Sequence, residues 1–542
     1  MKTYLLIVFA AILALLSCDN SDRHSKSRPN VVFIITDDQP RRSFGFLEGK
    51  ALTPRIDGLA DEGIHFSNAY VAASVCTPSR FTCLTGMYAS NCIAPSFLNA
   101  YSEEGVPQIA WNLGIVNEQK LVSSVLQDAG YRTGFVGKWH IGGISDDWQR
   151  VPPDSDPADP EIAKILKENQ EGYCRRLMER RGFDFAGSVY NGNPNDDRCL
   201  VNTGLNVHNM EWLTQAALKF IESSKEGPFY LYFSPTLLHV PDNTASLKDD
   251  PRKSGMGLLD EPITDVLPSR ESVLERVKEA GLPEEMAGAT WLDDGIGAIL
   301  DKLDELGLTE NTLVIYYNDN GLDDHAKGTC YEGGIKVPVI ARWKDHIKPG
   351  TNNQFISNID FVPTILDVCG VDKPEDMILD GESLLPFLRG MEPEGWRTSV
   401  YTEIGYTRAV KTEDWKYIAF KVPPSKMRTK EERLKEYEPY YKEQIEKNPW
   451  MKERYEFNPE APYYHLGIRA GGYAFEWGQL NPEAPFYENY FESDQLYDLK
   501  NDPRETTNLA DDPEMADKLK EMKALLKEHM KNLNGTFTDM LD

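Results

Sequence analysis

Four short apolar runs, residues 30–35, 134–136, 229–233 and 312–317, carry no alternation of polar and apolar side chains. A strand with one wet face alternates; an unbroken apolar strand is buried on both faces, as in a parallel sheet with helices above and below it. Helix-like segments lie between the runs. Residues 287–306 place Trp291, Ile296, Ile299, Leu300 and Leu303 on one helical face. This alternation predicts an α/β fold, a large central sheet flanked by helices. Each run is followed by residues with chemistry: Asp37 and Asp38 after the first, Lys138 and His140 after the second, His239 after the third, and Asp319 and Asn320 after the fourth. Ligands of open α/β sheets bind beyond the carboxyl ends of the strands. Four separated segments are therefore expected to build one composite site.

After about residue 390 the texture changes. Short strand-like pieces at 399–402, 408–411 and 415–420 precede a stretch, 422–492, rich in Tyr, Trp, Pro and Glu. Residues 515–533 then form an amphipathic helix with Leu519, Met522, Leu526, Met530 and Leu533 as its apolar stripe. These features predict a smaller α+β domain, 391–542, packed on a larger one, 29–390. The formal net charge of −28 excludes nucleic acid as a partner, because a phosphate backbone needs cationic neutralisation.

The first residues read as an export signal. A basic start, Met1-Lys2, leads into an apolar stretch, 4–16, too short to span a bilayer. It ends in Leu15-Leu16-Ser17-Cys18 before a polar segment. This resembles a bacterial lipoprotein signal, 1–18, with cleavage before Cys18, a lipid anchor on its thiol and a linker over 19–28; a plain secretory signal is the alternative. Either places the mature chain outside the cytoplasm, in the periplasm or at the outer membrane. The eight cysteines form no compact disulfide framework, and their pairing stays open.

Cys76-Thr77-Pro78-Ser79-Arg80 is followed by Leu84-Thr85-Gly86. Pro78 and Ser79 suit a helix start, which sets residue 76 among free backbone N–H groups that favour an anion. Arg80, one turn on, is placed to neutralise such a group. Asp37, Asp38, Asp319 and Asn320 offer oxygen ligands, which suit Ca²⁺ or Mg²⁺ rather than zinc. The alternative for the Asp pair is a turn or helix cap. Lys138, His140 and His239 add basic residues at the strand ends, with a structural hydrogen-bonding role the alternative for either histidine.

Taken together these segments resemble the formylglycine-dependent (type I) sulfatases. The match comprises C-x-P-x-R with L-T-G at 76–86, G-K-W-H-x-G at 137–142, S-P at Ser234-Pro235 with H-x-P at 239–241, and K-G-x-x-x-E-G-G-x-R-V-P at 327–338. Lys336 stands where the last pattern has arginine, a position expected to be structural. The resemblance runs from Pro29 to about Asn508. It implies an alkaline-phosphatase-like fold and oxidation of Cys76 to formylglycine by a separate maturation enzyme. The hydrated aldehyde then attacks sulfur with one hydroxyl and expels sulfate through the other. It also implies one Ca²⁺ held by Asp37, Asp38, residue 76, Asp319 and Asn320. Asp319 would draw the proton from the attacking hydroxyl, Lys138 would lie near the nucleophile, and His140 would deprotonate the remaining hydroxyl. His239 and Lys327 would bind a sulfate oxygen and protonate the leaving alkoxide.

A lipoprotein sulfatase resembles the enzymes with which bacteria desulfate algal or host glycans, so a sulfated polysaccharide is the expected substrate. Tyr463, Tyr464, Tyr473, Phe475 and Trp477 either stack on sugar rings or pack a core. Two rivals are a phosphodiesterase or phosphonate hydrolase of the same fold, and a non-catalytic glycan-binding surface lipoprotein. The complete set of basic residues speaks against the second. Segments 90–130, 143–200 and 422–492 match no motif and are expected to shape the substrate pocket.

Overall fold

The computed structural model describes residues 28–323, 326–447, 487 and 489–541. The signal segment with Cys18, and the aromatic residues between 463 and 477, lie outside these residues.

The larger layer is an eight-stranded sheet of β1 (Asn30–Thr36), β2 (Ile64–Phe66), β3 (Arg132–Lys138), β4 (Phe185–Tyr190), β5 (Phe229–Ser234), β6 (Thr312–Asn318), β7 (Val339–Arg342) and β8 (Gly350–Asn352). Their order across the sheet is β8-β2-β7-β6-β1-β5-β3-β4. The four apolar runs are thus four neighbouring strands, β6-β1-β5-β3, all mutually parallel. β7 runs antiparallel to both β6 and β2, which makes the sheet mixed.

Every residue of β1 is buried, and successive side chains enter different cores. Val31, Phe33 and Ile35 join Leu313, Ile315 and Tyr317 on one face, beneath the helices Cys76–Thr85 and Phe361–Cys369. Val32 and Ile34 join Val314 and Tyr316 on the other, against Pro54–Glu62, Met210–Ser224 and Ala287–Glu305. In chain order these helices are α1 (Pro54–Glu62), α2 (Cys76–Thr85), α3 (Met210–Ser224), α4 (Ala287–Glu305) and α5 (Phe361–Cys369). The expected stripe of α4, from Trp291 to Leu303, is buried in that second core.

One buried acid ties two of these helices together. Asp293 of α4 accepts the backbone N–H groups of Arg55, at 3.1 Å, and Ile56, at 2.8 Å. Those are first-turn donors of α1, whose own cap residue Thr53 supplies no side-chain bond. Burial pushes the Asp293 carboxyl up to about 7, and the two N–H groups only partly offset it. A raised folded-state value means that the folded chain binds this proton more tightly. The associated stability is complete below the ordinary carboxyl range and is lost as pH rises toward 7. Asp293→Asn keeps an acceptor for both N–H groups and removes the titration. Between pH 5 and 7.5 the denaturation midpoint is expected to fall less for this variant than for the parent chain.

The smaller layer is an antiparallel sheet, β9 (Val400–Ile404), β10 (Thr407–Lys411), β11 (Trp415–Phe420) and β12 (Asp494–Asp498), in that spatial order. Helix α6 (Ala516–Met530) covers it with Met522, Leu526 and Met530. Buried Lys416 of β11 reaches Glu332 and Glu505, each at 2.7 Å, and so fastens this sheet to the segment that follows Lys327. All seven described cysteines are free thiols.

Candidate active site

The carboxyl ends of β1, β3, β5 and β6 meet the start of α2. Val75, in extended conformation, precedes α2, and Cys76 is its first residue. Cys76 is 1% exposed, and its Sγ lies 3.6 Å from Asp37 Oδ1 and 3.8 Å from Lys327 Nζ. Burial, and then the charge of Asp319, push the thiol well above its usual range, so it stands as a neutral S–H rather than a nucleophilic thiolate.

Around it, carboxylates and cations alternate. Lys138 Nζ donates to Asp37 at 2.6 Å, and Lys327 Nζ donates to both oxygens of Asp38, at 2.6 and 2.5 Å. Arg80 is fully buried. Its Nη2 and Nε donate to Asp319 Oδ2 at 2.9 and 3.2 Å, and Asp37 lies 3.8 Å away. Burial opposes ionisation of Asp37, yet Lys138, His239, Arg80 and Lys327 hold it well below the usual carboxylate range. Asp319 differs: burial and neighbouring Asp37 push it up to about 6 against the pull of Arg80. It is thus better suited than Asp37 to accept a proton.

Lys138 reaches the site through a backbone irregularity. The register of β3 shifts between Val136 and Gly137, and Gly137 has φ 105°. A Cβ there would lie 1.9 Å from the Ser234 carbonyl, so glycine alone lets the strands approach this closely. Three residues after Gly137, His140 adopts φ 59° and anchors by its own N–H to Asn191 O at 3.0 Å. Its Nδ1 is buried and has no hydrogen-bond partner among the described residues. Burial, then Lys138 and Arg80, hold His140 well below its ordinary value, leaving a neutral imidazole.

His239 Nε2 sits 3.4 Å from Asp38 Oδ2 and 3.2 Å from Asn193 Nδ2, while Nδ1 faces Val240 O at 3.0 Å. Burial lowers its pKa despite Asp38 and Asp37. All seven residues expected to carry the chemistry therefore border one cluster, as do Asp37, Asp38 and Asn320. Lys336 does not; it lines a separate cavity with Arg41, Arg42 and Lys50.

Two further participants emerge only from the fold. Asn193, from the unmatched segment 143–200, holds His239 and is itself fixed by Asp196 at 2.7 Å. Ser234 hydrogen-bonds Arg80 and donates to the Lys138 carbonyl at 2.9 Å, locking the two cations to one strand end. The S-P motif flags Ser234 without giving it a role; nothing in the sequence flags Asn193.

The carboxylate oxygens of Asp37 and Asp38 fit a hard divalent cation, whereas the Cys76 thiol and His239 ring beside them are softer donors. Ligand atoms of Asp37, Asp38, Cys76 and His239 lie within 4.8 Å of one another. Asn320 donates its Nδ2 to Asp319 Oδ1 at 2.7 Å and to Asp38 Oδ1 at 3.0 Å, whereas its Oδ1 is buried without a partner. A buried amide oxygen left unpartnered among the described residues, on a side chain whose Nδ2 is held by two carboxylates, is costly unless a cation or another donor meets it.

Residues 29–371 match the family model described as Sulfatase, and residues 323–444 match the one described as N-sulphoglucosamine sulphohydrolase, C-terminal. The chain belongs to the sulfatase family. Members of this family hydrolyse sulfuric esters and generally use formylglycine and a divalent metal. The chain is 28% identical over 394 residues to human arylsulfatase A, covering 67% of this chain and 68% of that one. It is 27% identical over 482 residues to an N-acetylglucosamine-6-O-sulfatase of Bacteroides thetaiotaomicron, covering 77% and 82%. Against the arylsulfatase of Hemicentrotus pulcherrimus, at 25% identity, it spans 64% of that protein's length. Among solved structures, a sulfatase from a study of glycosaminoglycan metabolism by B. thetaiotaomicron superposes with a TM-score of 0.60, 22% identity and coverage of 94% of this chain and 100% of that one. That likeness extends the shared fold over both sheets.

Proposed function

We propose that this chain hydrolyses sulfate esters of a sulfated polysaccharide or its oligosaccharides, R–O–SO₃⁻ plus water giving R–OH and sulfate. Residue 76 would act as formylglycine, and Asp37, Asp38, Asp319, Asn320 and residue 76 would hold one Ca²⁺. The observation that carries this reading is the convergence of Cys76 with Lys138, Lys327 and Arg80 upon three buried carboxylates at the strand ends. The similarity to B. thetaiotaomicron N-acetylglucosamine-6-O-sulfatase and N-acetylgalactosamine-6-O-sulfatase, each 27% identical, supports a glycan substrate.

The hydrated aldehyde would supply one hydroxyl for attack on sulfur and another through which sulfate could be released, with the aldehyde re-formed. A calcium ion held there would supply charge to polarise the sulfate oxygens. Every other part belongs to side chains already placed. Lys138 and Lys327 carry positive charge on either side of Cys76 and hold the sulfate by its oxygens. Arg80 fixes Asp319, which takes the proton of the attacking hydroxyl. His239 and Lys327 deliver a proton to the leaving alkoxide, with Asn193 setting the ring's position. His140, neutral and with a free ring nitrogen, removes the proton of the second hydroxyl. The chain is exported as a lipoprotein anchored through Cys18, in the periplasm or at the outer membrane, and a maturation enzyme oxidises Cys76.

Free sulfate released from glycans bearing 2-, 3-, 4- or 6-sulfates tests the reading. Release from at least one glycan is expected. Turnover of aryl sulfates alone, or faster cleavage of phosphate diesters, would overturn it. Dialysis against a chelator is expected to lower release by at least about tenfold, with Ca²⁺ restoring it.

A further inference from the structure

Asp and Glu outnumber Lys and Arg by 86 to 58, so an anionic polymer is repelled by most of this surface. A concavity apart from the Lys336 cavity also reverses that balance. It lies between the C-terminal end of α1 and the loop after β7, has a volume of about 620 Å³, and is lined by Arg342, Lys344, His346, Lys348 and Arg389. Two carboxylates, Glu62 and Asp345, face them. In the register of the sheet Val339 lies beside Tyr317 and Arg342 beside Val314. This places the concavity at the end of β6 opposite Asp319, away from the catalytic cluster.

Arg342 gives the cavity its meaning. It is only 4% exposed, its Nε–H has no hydrogen-bond acceptor among the described residues, and Glu62 approaches it no closer than 3.9 Å. A buried guanidinium is costly unless it is paired and hydrogen-bonded. Glu62, with a side chain 67% exposed, is a weak partner. Arg342 also lines an adjoining 250 Å³ cavity with Arg55 and Lys344, where Glu62, Asp301 and Asp304 supply the opposing charge, so an anion is favoured only on the Lys348 and Arg389 side. Lys344, Lys348 and Arg389 stand exposed around it. The exposed His346 ring stacks on Trp343 at 4.3 Å and 23°, adding a flat face beside the cations.

We propose that this concavity is a second binding site, separate from the catalytic one, for the sulfate or carboxylate groups of an acidic polysaccharide. Arg342 takes one anionic group in its fork, and the exposed cations follow the polymer. Such a site holds the polymer to the protein while successive esters are presented to the strand ends on the far side. Only the choice of probe rests on the substrate proposed above; the measurement is binding, not turnover.

The test uses the full chain carrying Cys76→Ala, so that the polymer is not consumed. Mobility in gels containing a sulfated polysaccharide is compared with and without Lys344→Gln, Lys348→Gln and Arg389→Gln. All three side chains are exposed, so the fold is not at stake. A matched control replaces the exposed Lys500, Lys520 and Lys531 of the C-terminal region by Gln. The dissociation constant is expected to weaken about tenfold in the first triple variant and to hold in the control. With Cys76 intact, the first triple variant should release sulfate from a monosaccharide ester at the parent's rate. Unchanged retardation, or an equal loss in the control, would overturn the proposal. So would sodium sulfate that competes as well as the polymer at equal sulfate concentration, because the ligand would then be a free oxyanion. A chain that binds the polymer here yet never releases sulfate would leave this inference standing and sink the catalytic one.

Discussion

Replacing Cys76 by alanine is expected to reduce sulfate release by on the order of 10⁴-fold or more while leaving the chain folded. The size of the effect follows from what is removed. In a reaction split between a covalent step and its reversal, no other side chain in the cluster offers a group placed to bond to sulfur. Asp37, Asp38 and Asp319 are engaged with Lys138, Lys327 and Arg80, and burial keeps the thiol itself protonated. Stability should change little, because Sγ makes only long polar contacts, none shorter than 3.6 Å. Ion chromatography of released sulfate, with mass spectrometry of the peptide spanning residue 76, reads both halves. Alanine turning over within tenfold of the parent would show that the nucleophile lies elsewhere.

The second large effect is structural as well as chemical. Arg80→Met keeps an unbranched stem but removes a guanidinium that lies wholly inside the protein between Asp319 and Asp37. Removing one partner of a buried ion pair strands the other, at a cost of about 3–5 kcal/mol. Asp319, already pushed up to about 6, is expected to take a proton rather than remain charged, and it then no longer serves as a base. Urea denaturation and sulfate release should therefore both fall. Arg80→Lys should recover part of the stability but little activity, because an ammonium cannot reproduce the two bonds to Asp319 while also reaching Ser234. A methionine variant as stable as the parent would refute the claim that this cation neutralises the acid pair.

The central strands were readable because burial on both faces leaves an unmistakable pattern: an unbroken apolar run such as 229–233 has few other uses in a chain of this composition. The outer strands were not. β2 and β8 have three residues each and β7 has four, too few to carry a period. β4 mixes Gly187 and Ser188 into a half-buried edge. β9 to β11 show in the sequence as separate short pieces, but β12 joins them from across more than seventy residues, through pairing that no local pattern records. The same division holds in the site. Lys138 and His140 travel with their own turn and are visible as a motif. Asn193 meets His239 only because β4 and β5 deliver their following loops to the same end of the sheet.

The seclusion of Cys76 also sets an order of events. In the folded chain α2 is buried along its whole length, beneath β1 and beside α5. An enzyme that oxidises this thiol has to reach it, and in the folded chain Cys76 is 1% exposed. On the function proposed here, oxidation and folding compete for the same segment, and oxidation has to come first. A chain whose core closes early is then trapped with an unconverted thiol, whatever amount of maturation enzyme it meets afterwards. The fraction of active molecules in a preparation is thereby set by timing during synthesis rather than by equilibrium.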